Sequence, residues 1–594
     1  MARRNALVRR MPAVETLGCV SVICTDKTGT LTRGEMTARR VVAGTRSYAV
    51  GGAGYAPNGR IEAPEIDAGL ALLLQAGMLC NDASVIEEAP GRWCVIGDPT
   101  EGALAVLATK GGLAVDATRM ACERVGEIPF SSERMRMTTL HAMPDGRRLA
   151  FMKGAAECVL ARCGQIREGS TDRALDAATR AGLHAISDAM AADALRVMAI
   201  ACREVEPDGP CGDDDLERDM VFLGYVGLMD PPRPEAAAAV ATCRQVGIRP
   251  VMITGDHKLT ALAVAREIGI HREGDRVLDG AELAAMDVHA LAHIVEQVSV
   301  YARVSPMDKL KIVRAWKQRG HVVAMTGDGV NDAPALKHAD IGVAMGLAGT
   351  DVARESADIV LADDNFATIV VAIERGRWIY DNIKKYLTYL LRTNITEVIV
   401  LGGVVMAMGP QFLPMLPAAI LYVNLASDGL PALALGVAPP DRDIMQRPPR
   451  DPKESVFSFD VRALIALAVL IECPIFLATF LLRIDEPELA RTQVFLLFVV
   501  VELMLAMNFR SLRESLFEAP PHRWLLLAIG WELALLAVLM QFESVRAAFG
   551  IRMPGWQDLA YVLAVALGVM AVMELAKAAL RRREFSRHKA AKLQ

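Results

Sequence analysis

The sequence lacks the features that mark a zinc-binding, disulfide-bonded, secreted or nucleic-acid-binding protein. Its eleven cysteines form no C-x-x-C pair, so we expect reduced thiols rather than structural zinc or disulfides. The formal net charge is only −5, which argues against nucleic acid as a partner. The opening segment MARRNALVRRMP has no apolar centre, and no signal peptide is expected there.

Hydrophobic residues make up 53% of the chain and are unevenly distributed. Up to about residue 380 the pattern is that of an ordinary α/β protein, whereas beyond it apolar runs reach the length of a bilayer span. The chain is therefore predicted to be an integral membrane protein in a lipid bilayer. The six predicted spans are 386–409, 413–436, 461–482, 493–509, 523–542 and 558–580.

The distribution of basic residues predicts the orientation of these spans. Segments 437–456 and 508–524 and the tail 581–594 are rich in arginine and lysine, whereas the turn 408–414 carries no charge. Because positive charge marks cytoplasmic loops, the soluble part and the C-terminus are both predicted to be cytoplasmic. The lack of targeting signals suits a prokaryotic plasma membrane.

Three segments of the soluble part share one pattern, an apolar strand that ends in a polar turn containing glycine. They are VSVICTDKTGT (20–30), RPVMITGDH (249–257) and HVVAMTGDGVND (321–332). Strands and helices alternate around them, which predicts a parallel, doubly wound sheet. The three turns would then lie at one edge of that sheet, and so would the side chains of Asp26, Thr254, Asp256, Asp328 and Asp332.

Such a cluster can perform phosphoryl transfer. An aspartate nucleophile such as Asp26 forms an aspartyl phosphate, and the carboxylates of Asp26 and Asp328 suit Mg²⁺. Lys309 and Thr254 would neutralise and position the phosphoryl oxygens. Any one of these segments alone reads as an ordinary turn between strands, but three at consecutive strand ends favour a site.

Position 28 indicates what happens to the phosphate. In hydrolases with an aspartate nucleophile on this kind of sheet, a second aspartate commonly follows two residues later and acts as acid and base. Here that position is Thr28, which cannot transfer protons at neutral pH. The phosphorylated aspartate is therefore expected to persist.

The segments DKTGTLT, TGD and TGDGVNDAPALK, in this order and ahead of six spans, resemble the P-type ATPases over essentially the whole chain. The resemblance implies ATP and Mg²⁺ as cofactors, phosphorylation of Asp26, and Mg²⁺ bound with the help of Thr28 and Asp328. It implies a phosphoryl pocket formed by Lys309, Thr254, Gly255, Asp256, Asn331 and Asp332. The implied fold is a haloacid-dehalogenase-like α/β phosphorylation domain with an inserted α+β nucleotide-binding domain, followed by an all-α membrane domain.

The resemblance also implies the domain boundaries. They are residues 1–36 and 228–366 for the phosphorylation domain, 37–227 for the nucleotide-binding domain, 367–385 for a stalk helix, 386–580 for the membrane domain and 581–594 for a basic tail. Residues implied to bind the nucleotide are Glu101, Phe130, Lys153, Arg196 and Arg303. Read without the family, Phe130 would be a core residue and Arg196 a surface charge. Met135 departs from the family, which often has lysine there.

Polar residues inside the predicted spans are functional candidates because they are costly in lipid. Asn394 and Glu397 lie three residues apart, and Glu502 is a further carboxylate. Asn424, Ser427 and Asp428 recur at helical spacing on the next span. These oxygens describe a hard-cation site that resembles the calcium-pumping branch, so Ca²⁺ is favoured over Mn²⁺, Na⁺ or H⁺. Helix-to-helix hydrogen bonding remains the alternative for Asn394 or Ser427 alone.

Two further intramembrane features stand beside this set. Arg392 is unexpected within a span, and a fixed cation there would alter ion preference or stoichiometry. Cys473-Pro474 is similar to the dipeptide of soft-metal pumps, although in those pumps it precedes the aspartate strand.

The sequence has no Thr-Gly-Glu and only 25 residues before Asp26. The family has an actuator domain and four membrane helices before that aspartate. We therefore expect the chain to be the C-terminal part of a pump, unable to complete a cycle alone, with a separate polypeptide as a possible partner. The alternatives are a membrane-tethered phosphatase, which Thr28 argues against, and a non-catalytic remnant that serves as an interaction subunit.

Overall fold

The computed structural model describes residues 1–131, 133–206 and 216–591. Its strands, in chain order, are β1 (Ala6–Val8), β2 (Val22–Asp26), β3 (Thr37–Ala43), β4 (Arg46–Ala49), β5 (Ser84–Ala89), β6 (Arg92–Ile96), β7 (Glu123–Ser131), β8 (Arg136–Ala142), β9 (Arg148–Ala155), β10 (Cys163–Glu168), β11 (Thr171–Ala174), β12 (Arg196–Val205), β13 (Met220–Met229), β14 (Arg249–Ile253), β15 (Arg276–Asp279), β16 (Val298–Ala302), β17 (Val323–Gly327), β18 (Ile341–Met345) and β19 (Ile359–Leu361).

Its α-helices, in chain order, are α1 (Pro12–Leu17), α2 (Ala68–Leu79), α3 (Pro99–Lys110), α4 (Val115–Ala121), α5 (Ala156–Leu160), α6 (Ala177–Ala192), α7 (Ala236–Gln245), α8 (Lys258–Glu267), α9 (Gly280–Ala284), α10 (Val288–Ile294), α11 (Pro306–Gln318), α12 (Ala333–His338), α13 (Asp351–Ser356), α14 (Phe366–Met408), α15 (Pro417–Tyr422), α16 (Gly429–Gly436), α17 (Phe459–Leu481), α18 (Pro487–Asn508), α19 (Arg523–Leu539), α20 (Glu543–Phe549) and α21 (Trp556–Ala591).

The first sheet has eight strands in the order β1-β19-β18-β17-β2-β14-β16-β15. Seven of them run parallel, and β1 pairs antiparallel with β19 at one edge. The central strands are apolar and almost entirely buried, as expected when helices cover both faces of a parallel sheet. The predicted doubly wound sheet is confirmed. Its three central strands, β17, β2 and β14, are those of the three turn segments.

The second sheet is formed by residues that lie between β2 and β14 in the sequence. Its main path is β11-β10-β13-β12-β9-β8-β7, and β3 pairs with both β13 and β4. Most pairs are antiparallel, and β10 with β13 is parallel. Strands β5 and β6 form a separate hairpin.

The two segments that connect the sheets, one after β2 and one after β13, are hydrogen-bonded to each other. Thr32 pairs with Pro232 in an isolated antiparallel bridge. The Arg233 guanidinium donates to the carbonyls of Gly29, at 2.9 Å, and of Thr32, at 3.2 Å. Asp230 Oδ1 accepts from the amide of Gly34 at 2.9 Å. The insertion therefore leaves and re-enters the first sheet at one place.

The described part of the chain contains five helices long and apolar enough to cross a membrane, or six if α19 and α20 count as one bent span. Helix α14 is continuous for 43 residues and includes the first predicted span. The second span is not one regular helix, because a wider, π-type turn at Val423–Ser427 separates α15 from α16. In the fifth, α19 ends at Leu539 and the chain bends by 104° into α20.

Candidate phosphoryl-transfer and cation sites

Three carboxylates meet at the carboxyl end of the central strands of the first sheet. Asp26 ends β2, and Asp328 and Asp332 follow β17. One oxygen from each lies within 4.8 Å of the other two. Within the described residues this is the one group of three or more histidine, cysteine or acidic side chains close enough to bind a metal ion. The turns thus bring together residues about 300 positions apart.

Lys309 reaches this cluster from α11. Its Nζ lies 2.6 Å from Asp26 Oδ2 and 2.8 Å from Asp332 Oδ1. Ser305, which precedes the first residue of α11, and Asp308, in the first turn, form a capping box that fixes the start of the helix. Burial disfavours the lysine charge, but the Asp26 and Asp332 carboxylates outweigh burial and raise the pKa of Lys309. The site therefore contains a permanent cation beside the predicted nucleophile.

Asp328 completes the negative charge at this strand end. Burial raises the pKa of the Asp328 carboxyl, and the Asp26 and Asp332 carboxylates raise it further. A divalent cation relieves this crowding, and carboxylate oxygens are ligands that Mg²⁺ prefers. The residues present therefore fit Mg²⁺.

Hydrogen bonds of the strand ends orient Asp26 and Asp332. The Asp26 amide donates to Thr326 Oγ1 at 2.9 Å, and Asp26 Oδ1 accepts from the Lys27 amide at 2.7 Å. Asp332 Oδ2 accepts from the amides of Asp328 and Gly329. A Cβ atom on Gly327 would stand 2.5 Å from Asp332 Cβ, so only glycine lets Asp332 pack here.

An ion pair joins the turn after Asp26 to the turn after β14. Lys27 is buried and forms an ion pair with Asp256, while Gly29 takes a positive φ of 75° that closes the turn. Thr254 is buried, and its Oγ1 accepts from the Asp256 amide at 3.1 Å. The sequence analysis gave no role to Lys27 or Thr326, although the motifs contain both residues.

The remaining residues predicted for this site lie on its open rim. Thr28, Gly255 and Asn331 are exposed, and a Cβ atom on Gly255 would meet nothing within 4 Å. The Arg303 amide donates to the Asp256 carbonyl at 3.0 Å. Arg303 therefore borders this site rather than the second sheet, where the other predicted nucleotide-binding residues lie.

Those other residues surround one part of the second sheet. Lys153, on β9, is buried and forms an ion pair with Glu101, on α3. Arg196, at the start of β12, donates to Thr100 Oγ1 at 3.3 Å. Phe130, on β7, is 61% exposed. An exposed aromatic ring and two cations supply the groups that an adenine ring and phosphates require.

Glu217 is a buried carboxylate of the second sheet that the sequence analysis missed. It accepts hydrogen bonds from Arg134 at 2.7 Å, Arg136 at 2.7 Å and Thr138 at 2.8 Å. Burial favours its neutral form, but these hydrogen bonds lower the pKa of Glu217. Arg134 also donates to the Pro129 carbonyl, so Glu217 fixes the turn after Phe130, where Met135 has a positive φ of 52°.

Polar side chains form a second cluster inside the membrane-type helices. Asn424 Nδ2 lies 3.1 and 3.0 Å from the two carboxylate oxygens of Glu397, which joins α14 to the π-type turn. Ser427, Asp428 and Glu502 are almost fully buried. The wider, π-type turn at Val423–Ser427 carries Asn424 and Ser427.

Several oxygens of this cluster are buried without a hydrogen-bond partner. They are Ser427 Oγ, Asp428 Oδ1, both carboxylate oxygens of Glu502 and the hydroxyl of Tyr389. Buried carboxylates without partners are costly in an apolar medium. A bound cation would satisfy them, and an all-oxygen donor set suits a hard ion.

Asn394 and Arg392 lie elsewhere on α14. Asn394 is exposed, and its side chain donates to the Leu390 carbonyl of its own helix at 2.8 Å. Arg392 is buried and pairs with Glu472, on α17, at 2.5 Å. Thr396 Oγ1 donates to the other Glu472 oxygen at 2.9 Å. The structure thus separates Asn394 from the other predicted cation ligands.

Glu472 and Glu532 are two intramembrane carboxylates that the sequence analysis missed. Both are fully buried. Glu472 directly precedes Cys473-Pro474, the dipeptide noted in the sequence for its similarity to that of soft-metal pumps. Each is a glutamate within an otherwise apolar span, and that pattern alone would have identified both residues.

Comparisons with known proteins support the predicted family. The family model described as "P-type ATPase, cytoplasmic domain N" matches residues 69–235, and the one described as "Cation transporting ATPase, C-terminus" matches residues 412–579. The first match covers much of the second sheet. The second covers the helices from α15 to most of α21.

Curated relatives match most of this chain. It is 40% identical over 561 residues to a "Calcium-transporting ATPase" of Bacillus subtilis, covering 92% of this chain and 63% of the relative. It is 38% identical over 607 residues to "Calcium-transporting ATPase 1" of Bacillus cereus, covering 98% and 65%. The "Cation-transporting ATPase pma1" of Synechocystis is 41% identical over 532 residues, covering 87% and 58%.

The chain thus spans 58% to 65% of the length of these relatives. The predicted family and fold class agree with both family models and with the relatives. The chain belongs to the P-type ATPase family.

Proposed function

We propose that this chain carries the phosphorylation, ATP-binding and cation-binding functions of an ATP-driven cation transporter. The observation that carries the proposal is the contact of Lys309 with Asp26, at 2.6 Å, beside Asp328 and Asp332. A nucleophile, a fixed cation and a metal-binding carboxylate pair are what phosphoryl transfer needs.

In the proposed reaction a carboxylate oxygen of Asp26 attacks the γ-phosphorus of ATP. The new bond joins that oxygen to phosphorus, the bond from phosphorus to the β–γ bridging oxygen breaks, and ADP leaves with the electron pair. Lys309 neutralises charge on the transferring oxygens. Asp26, Asp328 and Thr28 would bind Mg²⁺, which supplies further charge neutralisation. Thr254, Gly255, Asp256, Asn331 and Asp332 shape the pocket.

The second sheet is proposed to bind the nucleotide. Phe130 would stack on the adenine, and Lys153, oriented by Glu101, would border the same pocket. Arg196, from the second sheet, and Arg303, from the first, would contact the phosphates. In this proposal the boundaries are 1–36 with 228–366 for phosphorylation and 37–227 for ATP.

Ca²⁺ is proposed as the transported ion. Glu397, Asp428, Glu502, Asn424 and Ser427 supply the oxygen ligands, and the unpartnered oxygens among them support a bound hard cation. Two of the relatives are named as calcium-transporting. Helix α14 runs unbroken from the first sheet to Glu397 and would transmit the change from one site to the other. The soluble part would lie in the cytoplasm of a prokaryote.

Phosphorylation from labelled ATP tests the proposal. The purified chain, with Mg²⁺ and ATP labelled at the γ-phosphate, should acquire label that is stable in acid and released by hydroxylamine. Asp26→Asn should abolish the label, whereas Asp351→Asn, at an exposed aspartate of the same domain, should retain it. Label that persists in Asp26→Asn, or no label on a folded wild-type chain, would overturn the proposal.

A further inference from the structure

A buried arginine lies beside the proposed cation site without belonging to it. Arg392, on α14, is almost fully buried, and its central guanidinium carbon lies 5.7 Å from the ring centroid of Tyr389. The charge of Arg392 also acts on the carboxyl groups of Asp428 and Glu502. A cation built into the chain is therefore close to the carboxylates that are proposed to bind the transported ion.

This arginine is a potential competitor of the transported ion. Asp428 Oδ1 and both Glu502 oxygens are buried without a hydrogen-bond partner, and so is the Nε atom of Arg392. A guanidinium group pairs with a carboxylate through two parallel hydrogen bonds, and opposite charges attract each other strongly in a medium of low dielectric constant. A free Arg392 side chain would therefore take up the carboxylate oxygens that Ca²⁺ needs.

Glu472 binds the guanidinium group on the side of α17. Its Oε1 accepts from Arg392 at 2.5 Å, and its Oε2 accepts from Thr396 Oγ1 at 2.9 Å. The second terminal nitrogen of Arg392 donates to Thr393 Oγ1 at 2.8 Å. The arginine is thus held by three neighbours that are not proposed cation ligands, while the oxygens of Glu502 stay without a partner.

We propose that Glu472 is a positioning residue of the cation site, which keeps the guanidinium group of Arg392 from Asp428 and Glu502 and so leaves both carboxylates open to the transported ion; this rests on the cation-binding part of the proposed function. Glu472 itself does not contact the ion. The remaining positive field of Arg392 makes the site less negative, and a divalent ion is repelled by that field more strongly than a monovalent ion.

Equilibrium binding of labelled calcium to the full chain in detergent, without ATP, tests the proposal. Only the binding that Asp428→Asn abolishes is counted, because the cluster around Asp26 also suits a divalent ion. Glu472→Gln should weaken this binding at least about tenfold, since the released Arg392 then pairs with the carboxylates of the site. Glu472→Asp keeps the charge and should therefore lose less affinity than Glu472→Gln.

Arg392→Met should change the affinity in the opposite direction. Because the competing cation is gone, this variant should bind calcium at least as tightly as the wild type. Arg392→Met/Glu472→Leu should bind calcium more tightly than the wild type, with a higher ratio of calcium to sodium affinity, measured by competition of sodium with labelled calcium. If the pair only stabilised the helix packing, Glu472→Gln and Arg392→Met would weaken binding alike, since each leaves one buried partner unpaired.

Glu532→Gln is the matched control. Glu532 is an equally buried glutamate of the bundle that lies next to the Tyr422 hydroxyl, and its variant should bind calcium within about threefold of the wild type. Calcium binding to Glu472→Gln that is no weaker than to Glu532→Gln, or equal weakening in Glu472→Gln and Arg392→Met, would overturn the positioning role and leave the proposed ion site intact. A wild-type chain that binds neither calcium nor sodium at this site would overturn both.

Discussion

Lys309 Nζ lies 2.6 Å from Asp26 Oδ2 although 283 positions separate the two residues in the chain. Both side chains are largely buried, and a second carboxylate, Asp332, pairs with the same ammonium group. Charges so placed interact much more strongly than a surface pair. The contact therefore orients the carboxylate and lowers the electrostatic cost of bringing a phosphate towards it.

Lys309→Met should slow phosphorylation of Asp26 strongly. Removing one such electrostatic group typically costs about 10²- to 10³-fold in rate, and we expect a loss of that size in the rate of label incorporation from ATP. Lys317→Met is the control, since Lys317 lies on the same helix but is paired with Asp340 at the surface. An equal loss in both variants would show that the effect comes from helix α11 rather than from the contact.

Thr28→Asp should shorten the lifetime of the phosphorylated aspartate. Thr28 lies exposed on the rim, two residues after Asp26, and a carboxyl group there could activate water as general base, an effect worth about 10²- to 10⁴-fold. The lifetime is measured by chasing labelled protein with unlabelled ATP. Thr28→Asn has a similar size without a proton-transferring group, and decay as fast as in Thr28→Asp would contradict the explanation.

The central part of the first site could be predicted because its parts are local. Each turn directly follows a short apolar strand, and parallel strands place their carboxyl ends at one edge of the sheet. The order β17-β2-β14 then brings Asp26 close to Asp328 and Asp332. The lengths of the apolar runs likewise predicted the membrane-type helices, since each predicted span overlaps one long apolar helix or one broken helix pair.

Contacts that depend on how helices rotate against one another could not be predicted in this way. Asn394 and Glu397 are three residues apart, yet Asn394 is exposed and Glu397 is buried. Arg392 and Glu472 are 80 positions apart in the sequence, and only the packing of α14 against α17 brings them into contact. The bend of 104° after α19 has no clear signal in its apolar sequence either.

The separation of Asn394 from the cation cluster leads to a test of the proposed ion site. Asp428→Asn and Glu502→Gln each replace a buried carboxyl group that has unpartnered oxygens by an amide and should abolish the calcium dependence of phosphorylation. Asn394→Ala removes only a hydrogen bond to its own helix and should leave that dependence within about threefold, an effect below 1 kcal/mol. Label that is insensitive to calcium chelation in the wild type would refute calcium as the ion.

Glu217→Gln should destabilise the second sheet. Buried hydrogen bonds to charged groups contribute about 1.5–3 kcal/mol, and the variant weakens those from Arg134 and Arg136. Thermal unfolding of the whole chain measures the loss, with Glu204→Gln as control because Glu204 is exposed and 3.7 Å from Arg147. Weaker ATP binding is also expected, since the turn after Phe130 loosens.

The same glutamate predicts a pH dependence. Folding lowers the pKa of Glu217, so its stabilisation is complete above the unfolded pKa of about 4.3 and is lost as pH falls through the lower folded value. The difference in unfolding temperature between wild type and Glu217→Gln should therefore be constant near neutral pH and shrink in acid. A difference that grows in acid would contradict this role.

The Arg392–Glu472 pair predicts strong coupling between two membrane-type helices. Breaking a buried ion pair by removing one partner typically costs about 3–5 kcal/mol, whereas replacing both partners by apolar groups is often neutral. Arg392→Met and Glu472→Leu should therefore each lower the thermal stability of the detergent-solubilised chain, and the double variant should recover most of it. The exposed pair Arg354–Asp351 serves as the control cycle and should show coupling below about 1 kcal/mol. If the losses at Arg392 and Glu472 are simply additive, the two residues stabilise the bundle separately.

Because Arg392 lies five residues before Glu397 on α14, the double variant should also be assayed for calcium-dependent label. Retained dependence would assign the pair to helix packing, and a changed ion preference would assign it to the electrostatics of the cation site.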